Sequence, residues 1–118
     1  MIIPNPPNEK DILIMQGSRF LFVVDVSVEW IANLTGYDAR GMIRPDRSSS
    51  AALLADLEAF MTVDVPNHQV VLDLPADTSS AYDFDTGQYD IEVFVPGDAT
   101  KTVRVMQGKV SLNRETTR

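Results

Sequence analysis

From residue 20 onward, apolar and polar side chains alternate with a period of two. Phe20, Phe22, Val24, Val26 and Val28 share one face of a segment running to Glu29, as in a strand, where successive side chains point to opposite sides. The other face starts apolar at Leu21 and Val23 and turns polar at Asp25, Ser27 and Glu29. That pattern predicts one long strand, covered on both sides in its first half and wet on one side in its second. Val70, Leu72 and Leu74 alternate with Gln69, Val71 and Asp73. Tyr89, Ile91, Val93 and Val95 alternate with Gln88, Asp90 and Glu92. Val103 and Val105 alternate with Thr102 and Arg104, and Val110 and Leu112 with Lys109 and Ser111. Pro96-Gly97-Asp98 supplies turn chemistry for a hairpin. Gln107-Gly108 interrupts the last run and predicts a bulge or sharp bend there. Short strands with turn signals at this spacing predict an all-β fold, an antiparallel β-sandwich.

Two segments depart from the period. Ser48-Ser49-Ser50 precedes Leu53, Leu54, Leu57, Phe60 and Met61, a helical spacing with a possible cap. The same residues could instead form two strands, Leu53–Leu57 and Phe60–Asp64; composition favours the helix, because Ala, Leu and Glu dominate. Pro75 to Phe84 suits a short helical turn near residues 77–84, capped by Asp77 or Thr78. Pro4, Pro6 and Pro7 make residues 1–8 an extended arm, leaving residues 9–118 for the sandwich.

Composition narrows the chemistry. The chain has 118 residues, enough for one domain that folds without staples. It has no cysteine, which excludes disulfides, zinc–thiolate sites and cysteine nucleophiles. No segment carries a secretory signal pattern, and the longest apolar run, Phe20 to Val24, is too short to cross a bilayer. The expectation is a soluble protein made in a cytosol, with no membrane partner. The net charge of −7 divides unevenly: residues 1–100 hold 5 basic and 16 acidic side chains, a balance of −11, and residues 101–118 hold 5 basic and 1 acidic, a balance of +4. A body of that sign argues against nucleic acid as a partner. The basic end, Lys101, Arg104, Lys109, Arg114 and Arg118, reads as a solvated strand pair or as a surface that meets acidic neighbours.

No catalytic or metal constellation emerges. His68, the only histidine, sits in a turn-like Val65-Pro66-Asn67-His68-Gln69 and reads as solvated. Asp83, Asp85 and Asp90 lack the calcium-loop register and read as loop acids. Arg40 and Arg44 share a strand face, near Arg47, Asp38 and Asp46, where cross-strand carboxylate pairing is the expected use. Trp30 reads as a core residue or an interface anchor. Tyr37, Tyr82 and Phe84 are the candidate exposed aromatics for a glycan-binding alternative.

Three stretches together resemble small tail-associated proteins of tailed bacteriophages: Leu34–Arg44 (LTGYDARGMIR), Gly87–Val93 (GQYDIEV) and Val103–Arg118 (VRVMQGKVSLNRETTR). The likeness keeps the same order from about residue 12 to the end. It implies an immunoglobulin-like sandwich similar to the N-terminal domain of baseplate upper proteins. It also implies a non-enzymatic virion part without a cofactor: a minor tail, baseplate or fibre-attachment module. Its partners would be other phage structural proteins and copies of itself around a symmetry axis. The family segment after the arginine strand is usually extended, which favours strands over Leu53–Asp64. The proline arm and Ser48-Ser49-Ser50-Ala51-Ala52 depart from the family pattern, and a capsid decoration protein of the same fold is the alternative. The interface residues expected on this reading are Ile2, Ile3, Pro4, Pro6 and Pro7 of the arm, with Lys101, Arg104, Lys109, Arg114 and Arg118.

Overall fold

A computed structural model describes residues 8–46 and 52–114. The arm residues Ile2, Ile3, Pro4, Pro6 and Pro7, together with Arg47, Ser48–Ala51 and Arg118, lie outside the described residues. The strands are β1 (Asn8–Glu9), β2 (Ile12–Met15), β3 (Phe20–Asp25), β4 (Asp38–Arg44), β5 (Ala55–Asp56), β6 (Met61–Asp64), β7 (Gln69–Leu74), β8 (Thr86–Val95) and β9 (Asp98–Asn113). One short helix, α1 (Ala76–Ser80), joins β7 to β8. One sheet, sheet A, runs β1-β9-β8-β4-β5, with β2 also on β9; the other, sheet B, runs β3-β7-β6. With β3, β4, β6, β7, β8 and β9 taken as strands B, C, D, E, F and G, this is the immunoglobulin-like division into two layers.

The core is made by the alternation that the sequence displays. Val70, Leu72 and Leu74 of β7, Tyr89, Ile91 and Val93 of β8, and Val105, Val110 and Leu112 of β9 are all buried between the sheets. Ile14, Ile43 and Leu57 are fully enclosed, each worth about 1.5–3 kcal/mol relative to exposure. Trp30 is buried in this core. The β8–β9 hairpin turns through Pro96-Gly97, with Val95 opposite Asp98 and Gly97 at φ +84°, as glycine at the third position of a type II turn requires.

Several expectations are corrected. Strand β3 stops at Asp25 rather than Glu29. Ser27 ends it: its Oγ accepts the Glu29 amide at 3.1 Å, and its carbonyl accepts the amides of Trp30 and Ile31, so a side-chain-supported turn replaces the ladder. Leu21 and Val23 are exposed, not covered on both sides. Residues 53–61 do not form a helix. The amides of Leu54 and Leu57 donate to the carbonyls of Ile43 and Gly41, both at 2.8 Å, and a single 3-10 turn over Glu58–Phe60 separates the short β5 from β6; edge pairing with β4 and burial of Leu57 override local propensity. Helix α1 begins after Pro75, and no side chain caps it, neither Asp77 nor Thr78.

The N-terminal segment departs most. Asn8 belongs to the sheet rather than to an arm, and β1 and β2 run parallel to β9, with Asn8 opposite Met106 and Ile12 opposite Val110. The sandwich is therefore antiparallel except along this edge. The bulge falls at Val105, since Ile91 pairs with Met106 and Glu92 with Arg104. Gly108 answers a different need. A Cβ there would lie 2.2 Å from the Lys10 carbonyl oxygen. Glycine permits the first strand to lie down on β9. The Lys10 amide donates to the Gln107 carbonyl at 2.9 Å, and the Tyr89 hydroxyl donates to the Lys10 carbonyl.

This close approach is testable. Gly108→Ala should cost about 1–3 kcal/mol, the usual range for overpacking. Tyr89→Phe should cost about 0.5–1.5 kcal/mol for one lost hydrogen bond. Denaturant unfolding of the two variants measures both, and Gly108→Ala should be the more destabilised.

Candidate interaction surface

The outward positions of sheet A form charged rows set by strand register. Arg40 of β4, Glu92 of β8 and Arg104 of β9 are neighbours across three strands, and Met42, Asp90 and Gln107 form the next row. Arg40 Nε lies 3.0 Å from Glu92 Oε1, and the Arg40 guanidinium sits 4.5 Å from the centre of the Phe94 ring. Arg104 reaches Glu92 at 4.0 Å and Asp90 at 3.9 Å, and donates to Gln107 Oε1 at 3.2 Å. Gln107, itself buried, donates through Nε2 to Glu9 Oε1 at 3.0 Å, carrying the network onto β1. A cleft of about 220 Å³ opens over these rows, lined by Met42, Arg44, Asp46, Gln88, Asp90 and Arg104 among others. Opposite charges at cross-strand neighbours are each worth a few tenths of a kcal/mol to about 1 kcal/mol. Such a surface can hold a polar partner by matched charge and fixed register.

The basic end of the chain is largely answered from within. Arg114 Nε lies 2.9 Å from Asp85 Oδ1 and its Nη1 3.1 Å from Asp83 Oδ1, which pins the end of β9 to the loop before β8. Arg104 is engaged as above. Lys101 and Lys109 are exposed. Lys101 lies beside Asp98, whose carboxyl is held below the ordinary range chiefly by the Thr100 hydroxyl and amide and in smaller part by this lysine. The Lys109 amide donates to Asp11 Oδ1 at 3.0 Å. Of the expected interface cations, Arg118 lies outside the described residues, as do the five arm residues.

Other sequence candidates resolve as follows. His68 closes the β6–β7 turn at φ +58°, and its Nε2 lies 2.8 Å from the Ile31 carbonyl oxygen; it ties two loops together rather than standing solvated. Among the described residues no three His, Cys, Asp or Glu side chains converge on a metal position. Tyr82 and Phe84 pack together at 5.7 Å, with Phe84 buried. Tyr37 adjoins Asp38, which pairs with Phe94, whereas Tyr82 and Phe84 precede Thr86. These aromatics therefore sit at opposite ends of β8 and form no common platform.

Three polar ties have no signature in the hydrophobic pattern. Ser79 is fully buried, accepts the Gly17 amide at 3.0 Å and donates to the Ser18 carbonyl at 3.0 Å, so α1 clamps the β2–β3 turn. Gln16 Nε2 donates to the Tyr82 carbonyl at 2.9 Å. On sheet B, Arg19 forks onto Asp73 at 2.7 and 2.8 Å.

No protein-family model matches the chain, and no curated protein matches it.

The Arg19–Asp73 pair predicts a pH dependence. The Arg19 hydrogen bond holds the Asp73 carboxyl below its ordinary range. A depressed folded-state pKa contributes stability that is complete above the unfolded value of about 3.9 and is lost as pH falls through the folded value. The melting temperature should therefore decline as pH drops below about 4. Asp73→Asn should be less stable than the parent at neutral pH and show a shallower decline, read by thermal melts across pH 2–7.

Proposed function

We propose that the protein is a non-enzymatic structural component of a tailed-phage virion, a minor tail, baseplate or fibre-attachment module that works through protein–protein contacts. One observation carries the reading: the three stretches that resemble tail-associated proteins fall on β4, β8 and β9, which are neighbours in a single sheet. Over its described residues, a likeness scattered along the sequence falls largely on three adjoining strands of one sheet. Their outward side is the charged face with matched rows described above, a kind of face suited to fixing a neighbour's register. Its partners are other phage structural proteins and further copies of this chain, and its location is the assembled particle.

Separation of heads from tails of the phage that encodes the chain, with mass spectrometry on each fraction, tests this. The chain's peptides should appear in the tail fraction. Recovery from heads alone would make it a capsid decoration protein, and absence from both would refute the virion reading. Removal of residues 1–7, which leaves β1 intact, should lower incorporation into particles, measured by the same peptides per virion.

A further inference from the structure

Among the described residues, strand β3 is an edge of sheet B. In sheet B it pairs only with β7, and among the described residues nothing pairs along its other side. The Val26 amide donates to the His68 carbonyl at 3.1 Å, continuing the β3–β7 register by one pair. In an antiparallel ladder, residues facing the partner alternate with residues facing away. Phe20, Phe22 and Val24 therefore direct their backbone groups to β7, and Arg19, Leu21, Val23 and Asp25 direct theirs to the free edge. The side chains of those same residues stand on the outer face of sheet B, where Leu21 is 54% and Val23 45% exposed. Val71, opposite Val23, continues the apolar strip inward. The devices that usually protect an edge are lacking: β3 (FLFVVD) has no lysine, no proline and no bulge.

We propose that the β3 edge binds the β3 edge of a second copy, antiparallel about a two-fold axis at Phe22. In that register Leu21 of one copy faces Val23 of the other, and Arg19 faces Asp25. The apolar pair meets an apolar pair, and the single cation at one end of the strand meets the carboxylate at the other end of its neighbour. A shift of two residues either way sets Leu21 against Asp25 or Val23 against Arg19, leaving an apolar side chain opposite a charge. The facing pairs are of the hydrogen-bonded type, because all four residues direct their backbone outward. Both three-stranded sheets then join into one six-stranded sheet. Arg19 already forks onto Asp73 and would bridge to Asp25 of the second copy; Asp25 already accepts from Gln69 Nε2 at 2.9 Å and has lone pairs to spare. The contact is small compared with stable dimer interfaces of about 1,200–2,000 Å², so the pair is a micromolar one that repetition in an assembly strengthens. This gives a surface for the self-association named above, and its failure would leave the virion placement to its own test.

Because the chain has no cysteine, crosslinking reads the register directly. Hydrogen-bonded antiparallel partners are about 5.5 Å apart at Cα, within disulfide reach, whereas residues offset by two positions are roughly 9 Å apart and outside it. An equal mixture of Leu21→Cys and Val23→Cys full-length chains should give a crosslinked heterodimer on mild oxidation, several-fold above either variant alone. The parent should show concentration-dependent dimerisation by sedimentation velocity over about 1–300 μM. Val23→Lys, at an exposed position with circular dichroism as the control for folding, should weaken it at least about tenfold by placing a charge against Leu21. A parent that stays monomeric throughout overturns the proposal, as does crosslinking of Leu21→Cys alone that equals the mixture. A monomeric full chain whose version lacking residues 1–7 dimerises also overturns it, by showing that the chain covers its own edge.

Discussion

The parallel seating of residues 8–15 on β9 governs how the two sheets end. The first strand could have paired with β3, its neighbour in sequence across a short turn at Gly17, but it lies on the opposite sheet instead. Gly108 makes that possible by leaving room for the Lys10 backbone, and Tyr89 secures the carbonyl that arrives there. One consequence is that β9 is covered and sheet A gains its outermost strands. The other is that, among the described residues, β3 is the border of sheet B, with Leu21 and Val23 exposed. Ser79 and Gln16 hold the crossover between layers at its turning point.

Charge follows the same division. The acidic body and basic end do not form two free poles, because Arg104 and Arg114 are drawn onto Asp90, Glu92, Asp83 and Asp85 of the same chain. The result is a face of alternating sign on sheet A, and an apolar edge with one charge at each end on sheet B. Exposed ion pairs of this kind add little to stability. On the proposed function, their role is to set which neighbours fit and in what register.

Much of the fold was legible because a two-layer sandwich buries one face of each strand, and Val70–Leu74, Tyr89–Val93 and Val110–Leu112 bear that period openly. Residues 53–64 form two short strands around a 3-10 turn rather than a helix, since edge pairing with β4 outweighs the helix preference of Ala and Leu. Features that depend on distant partners left little trace. The parallel pairing of Glu9 with Gln107 joins residues 98 positions apart, and its one local mark, Gly108, reads equally well as a bulge. The turn at Ser27 was hidden by Val28, which extends the alternation past the point where the strand stops. Of the two arginines expected to meet a carboxylate across the strand, Arg40 pairs with Glu92, whereas Arg44 lies opposite Gln88. The internal partners of Arg104 and Arg114 come from β8 and its preceding loop, and composition counts those acids without placing them.

Residue-resolved hydrogen exchange on the full chain at low concentration tests the edge assignment most directly. The account predicts slow exchange for the amides of Lys10 and Gln16, which donate to the Gln107 and Asn113 carbonyls, and fast exchange for those of Leu21 and Val23, which face the free edge. Slow exchange at Leu21 and Val23 together with fast exchange at Lys10 would contradict it, by placing the first strand on β3 instead of β9.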